Sequence, residues 1–103
     1  MDAVDTWTAD SILEFLHAHR EQLRAMGVQK IGLFGSYVRG EQSTNSDMDF
    51  LVRLDKMSFA RWMDVWNFLE DSFGREVDLV PEHNLREELR PYVLPEVVYV
   101  EDI

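Results

Sequence analysis

A short apolar run, Lys30 to Phe34 (KIGLF), stops at Gly35-Ser36, and after ten intervening residues a second run opens with Asp47-Met48-Asp49 and continues to Leu54. No other feature restricts the possible folds as much, because it prescribes strand, glycine turn and strand in close succession. The two-residue period of a strand places Asp47 and Asp49 on one face and Met48, Phe50, Val52 and Leu54 on the other. One face is thus polar and the other packs. Gly35 lets the backbone turn tightly and approach a phosphate, and Ser36 adds a hydroxyl beside it.

Two carboxylates at this spacing repel one another unless something positive lies between them. Hard divalent cations suit such a pair, with a triphosphate supplying further oxygen ligands, and magnesium is the natural candidate. Asp78, within Glu76 to Pro81 (EVDLVP), offers a third carboxylate on a strand that follows a helix. If that strand lies beside the first pair, three aspartates can hold two ions about 3.5–4 Å apart, as in-line displacements on phosphorus require. The adjacency itself is left open by the sequence.

Gly35, Ser36, Asp47, Asp49 and Asp78 resemble the pattern of the DNA polymerase β-like nucleotidyltransferase superfamily: Gly-Ser, ten residues, Asp-x-Asp and a later Asp. The resemblance is to its minimal nucleotidyltransferase (MNT) branch, which includes the antitoxins paired with HEPN-domain toxins. Arg39, Gly40 and Ser46 fit the fuller version of the pattern. Val38, Met48 and Phe50 stand where other members often carry Ala, Ile and Leu, exchanges that touch packing more than chemistry. The motif covers Lys30 to Pro81 and, through size and element order, the resemblance extends to most of the chain. It implies transfer of AMP from ATP to a hydroxyl of a HEPN toxin, with Mg2+ and release of pyrophosphate, in a hetero-oligomer. Gly35, Ser36, Arg39 and Ser46 would bind nucleotide, and Asp47, Asp49 and Asp78 would be catalytic metal ligands. Inhibition of the toxin by occlusion alone and adenylylation of a small molecule are the competing readings.

With 103 residues the chain is expected to form one domain, 1–103, with a single core. Larger superfamily members carry a helical domain for base and acceptor, and this length has no room for one. The formal net charge of −10 argues against free nucleic acid as substrate. An acidic surface serves solubility, and also steering toward a basic protein. The absence of cysteine excludes disulfides, and the acidic start, Met1 to Asp5, argues against a secretory signal, so a cytoplasmic protein is expected. No apolar run approaches the ~20 residues of a membrane span.

Thr8 to Met26 reads as one helix, capped at Thr8 or Asp10 and stopped by Gly27, with His17 and His19 solvated. Tyr37 to Gly40 reads as a helical turn and Glu41 to Asn45 as a polar loop. Arg39 either contacts phosphate or ties the loop to a carboxylate. Ser58 to Phe73 reads as a helix ended by Gly74, with Phe59, Trp62, Met63, Trp66, Leu69 and Phe73 facing the core and Val65 and Phe68 off that stripe. His83 to Arg90 reads as a short charged helix, with Arg86 and Arg90 pairing with Glu82 or Glu87, and Val97 to Val100 as a final edge strand. The expected architecture is α/β, order α-β-α-β-α-β, with a mixed sheet, helices mainly on one face and a short C-terminal addition.

Overall fold

The computed structural model describes residues 7–103; the acidic start lies outside them. Its element order is α1 (Ala9–Ala18), α2 (Arg20–Ala25), β1 (Val28–Phe34), α3 (Ser36–Arg39), β2 (Met48–Leu54), α4 (Phe59–Phe73), β3 (Val77–Pro81), α5 (Arg90–Val93) and β4 (Val98–Tyr99). The four strands form a mixed sheet, as expected, in the order β3-β2-β1-β4. β1 runs antiparallel to both β2 and β4, and α4 carries the crossover that returns β3 parallel to β2.

The expected first helix is two. Thr8 caps α1 through a reciprocal pair with Ser11, but the helix breaks at His19. Side chains make the break affordable: His19 Nδ1 lies 2.9 Å from the Phe15 carbonyl, and Arg20 donates to the His17 carbonyl at 2.9 Å. His19 is half-buried and stacks on Phe15 at 4.0 Å between ring centroids, which corrects its reading as solvated.

Helix α4 keeps its expected caps, with Ser58 accepting from the Arg61 amide and Gly74 left-handed at φ 65°. Its buried stripe, however, is rotated. Val65, Leu69 and Phe73 are buried with Trp62 and Trp66 partly so, whereas Phe59 at the first turn is 74% exposed. Val65 therefore belongs to the core and Phe59 does not. A single core cluster joins Ile12, Leu16 and Leu23 of the first two helices to this stripe and to Met48, Phe50 and Val52 of β2. Trp62 fastens α4 to β3 by donating its indole N–H to the Leu79 carbonyl at 3.0 Å.

The expected helix from His83 to Arg90 is replaced by two 3-10 turns, Glu82–Asn84 and Glu87–Leu89, before α5 begins at Arg90. Arg90 donates to the Glu82 carbonyl at 3.1 Å and lies 3.9 Å from Glu87. β4 is an edge strand of two residues. It can lie flat on β1 because its neighbour there is Gly32, where a Cβ would collide with Val97 and Tyr99.

Candidate active site

Strand pairing assembles the site. Asp49 is the register partner of Phe34 on β1 and of Asp78 on β3, so it sits between the Gly35-Ser36 turn and the third carboxylate. The adjacency that the sequence left open is thus present. Asp47 lies just before β2 and is exposed, as is Asp78, while Asp49 is half-buried. Gly35, at φ 85° and ψ −153°, occupies backbone space essentially reserved for glycine, and a side chain there would run into the Asp49 carboxylate. The turn and the aspartate pack as one unit.

Burial, and then the charges of Asp78 and Asp47, push the Asp49 carboxyl up to about 6, with Arg39 pulling the other way. Carboxylates are therefore crowded at this end of the sheet. Among the described residues, no three His, Cys, Asp or Glu side chains are grouped closely enough to enclose a metal ion alone. The donors are nonetheless hard oxygens that crowd one another, which fits a divalent cation shared with phosphate oxygens better than an all-protein cage.

Arg39 is held by two carboxylates: it donates to Glu41 at 2.9 Å and to Glu96 at 2.7 Å. Of its two anticipated contacts, the structure shows the carboxylate tie. The other oxygen of Glu96 accepts the Gly35 amide at 2.8 Å. Burial raises the Glu96 pKa, but the hydrogen bonds from Arg39 and Gly35 outweigh it and leave the group below its usual value. The Ser46 hydroxyl accepts the Ser43 amide at 2.9 Å and so closes the polar loop that leads to Asp47.

Two contributors escaped the sequence reading. Glu96 lies 61 residues from the amide it accepts. Arg75, ahead of β3, donates to the Ser46 carbonyl at 2.5 Å and to the Ser43 carbonyl at 3.4 Å, holding the loop that delivers Asp47. The carboxylate tie anticipated for Arg39 was the only hint of Glu96, and nothing local hinted at Arg75. Arg75→Ala is expected to lower stability by about 1–2 kcal/mol in urea denaturation, because loop carbonyls lose a charged donor.

The family profile described as a nucleotidyltransferase domain matches residues 16–100. The chain belongs to that family. The protein adenylyltransferase MntA of Thermococcus cleftensis is 42% identical over 95 residues, covering 90% of this chain and 96% of the relative. A structure solved as that of a minimal nucleotidyltransferase superposes with a TM-score of 0.77 at 27% identity, over 92% of this chain and 98% of that one. A chain of a toxin–antitoxin complex solved with AMP-PNP gives a TM-score of 0.66 at 26% identity, over 82% of this chain and 70% of that one. This nucleotidyltransferase domain thus carries the Gly-Ser turn and aspartates on a fold shared with minimal members of its family. Among its described residues, no helix is long and apolar enough to cross a membrane.

Proposed function

We propose that this domain is an antitoxin that transfers AMP from ATP to a hydroxyl of a HEPN-domain toxin, releasing pyrophosphate, and acts in the cytoplasm. The observation that carries the reading is the side-by-side placement of Asp49 and Asp78 at the Gly35-Ser36 turn. The adenylyltransferase relative and the toxin–antitoxin neighbour with AMP-PNP support transfer chemistry and a protein partner.

Asp47, Asp49 and Asp78 would hold magnesium, which neutralises phosphate charge and polarises the phosphorus under attack. Ser36 and the turn backbone orient the β- and γ-phosphates. The contribution of Gly35 is conformational, since its amide already serves Glu96. Asp78, exposed beside Asp49, would accept the proton of the attacking hydroxyl. Arg39 reaches the nucleotide through the field it adds to the carboxylate cluster, and Ser46 by shaping the loop before Asp47. The exposed side chains of Phe59 and Tyr92, 74% and 78% accessible, offer apolar surface to a partner.

Intact-mass spectrometry of the toxin candidate encoded beside this chain tests the reading, after co-expression with the native domain or with its Asp47→Asn, Asp49→Asn form. Additions of one or more AMP units only with the native domain are expected. An unmodified partner that still co-purifies would replace transfer by occlusion. No modified or bound partner would favour a small-molecule acceptor.

A further inference from the structure

We propose that Glu96 is the positioning residue of the nucleotide-binding turn, a role that rests on the transfer reading above. Its carboxylate bridges two groups of the turn at once. One oxygen takes the Gly35 amide at 2.8 Å and the other takes the Arg39 guanidinium at 2.7 Å, so the two ends of the Gly35–Arg39 segment are fixed to one rigid group.

The fold holds that carboxylate in place from the far end of the chain. Gly32 pairs with Tyr99 and Leu33 with Val98, and Glu96 lies in the turn just before that strand, within reach of the Gly35 amide. The close approach depends on the missing side chain of Gly32, and the Glu96 amide is itself bonded to the Val93 carbonyl at 3.0 Å. Glu96 is thus anchored in the turn between the end of α5 and the start of β4. Its side chain is only 20% exposed.

Two consequences follow for the site. The Gly35 amide is already bonded and does not point at phosphate, which leaves Ser36 and the succeeding backbone to do so. Arg39 has its charge met by carboxylates, so it stiffens the turn rather than gripping the triphosphate. A turn held in one geometry binds nucleotide without first having to be ordered. Glu96 acts through Gly35 and Arg39 rather than by touching substrate or cation.

The full-length protein tests this with Glu96→Gln, an isostere whose one carbonyl oxygen can keep only one of the two contacts, since its NH2 group donates and cannot accept from Gly35 or Arg39. Binding of AMP-PNP in the presence of MgCl2 is measured by calorimetry, and exchange of the Gly35 amide by NMR. Glu96→Gln is expected to weaken AMP-PNP binding roughly tenfold and to speed Gly35 exchange by a similar factor, with the melting temperature changed by only a few degrees. Glu96→Asp, charged but one methylene shorter, should show a smaller loss of the same kind and stands in if the glutamine variant folds poorly. Glu21→Gln, which neutralises an exposed carboxylate on α2 paired with Arg24, should leave AMP-PNP binding unchanged. Tighter AMP-PNP binding by Glu96→Gln would overturn the proposal, because the carboxylate would then be a competitor of phosphate. Unchanged binding with faster Gly35 exchange would also overturn it, since the clamp would be structural only. A native protein that fails to bind AMP-PNP overturns the transfer reading and this proposal together, whereas native binding indifferent to Glu96 sinks this proposal alone.

Discussion

Asp49→Asn is expected to melt at a higher temperature than the native protein at pH 7.5 while losing AMP transfer by about a thousandfold or more. The two effects share one origin. In the folded protein the Asp49 carboxyl titrates near 6, above the 3.8 of an unperturbed aspartate, because it is partly buried and faces Asp78 and Asp47. Between those values the folded state binds more protons than the unfolded chain, so stability falls as pH rises through that window and the full cost is present above it. Asparagine keeps the shape and removes the charge. Allowing for the solvent that reaches a half-buried group, the gain is on the order of 1–2 kcal/mol, or roughly 5–10 °C for a domain of this size. Thermal melts at pH 7.5, 5.5 and 4 check the sign: the advantage should shrink at 5.5 and be nearly gone at 4. An equal or lower melting temperature at pH 7.5 would show that the carboxylate's charge is already compensated. Magnesium with AMP-PNP should raise the native melting temperature and hardly move that of the variant, since only ligand that binds the folded state stabilises it.

Gly35→Ala should damage both folding and function, by about 2–4 kcal/mol of stability and with loss of detectable transfer. The backbone at φ 85° and ψ −153° is strained for alanine, and the new methyl would fall on the Asp49 carboxylate, forcing that side chain away from Asp78. Gly40→Ala is the informative comparison. It also has a positive φ, 71°, but a Cβ there meets nothing within 4 Å, so only the conformational cost of about 1 kcal/mol applies. Urea denaturation of the two variants then reads the collision together with the harsher backbone at Gly35 against the milder left-handed strain at Gly40. Equal losses would mean that the contact between Gly35 and Asp49 relaxes without cost.

Local chemistry made much of this molecule readable. A glycine that must turn, alternating carboxylates and apolar residues, and capping residues at Thr8, Ser58 and Gly74 all act within a few positions of themselves. The Asp49 and Asp78 pairing was open until the crossover through α4 fixed a parallel register. The misreadings have a common physical source in contacts with distant partners. Val65 and Phe59 exchanged places because the sheet, not the helix period, selects which flank of α4 is covered. The break at His19 depends on side chains that reach back to carbonyls. Glu96 and Arg75 act on loops 61 and 29 residues away, which no local pattern encodes.

The clamp on the turn also spans more of the chain than the pairings that gather the aspartates. Pairings of β1 with β2 and of β2 with β3 need only segments up to Pro81, whereas the clamp on the turn needs β4 to dock on the opposite edge of β1. Contacts between residues far apart in the chain are slow to form because loop closure must precede them. A chain folded only through β3 would display all three aspartates beside an unfastened turn. Competence to hold nucleotide thus depends on the last stretch of chain, and loss of β4 is expected to leave the acidic cluster without the geometry to use it.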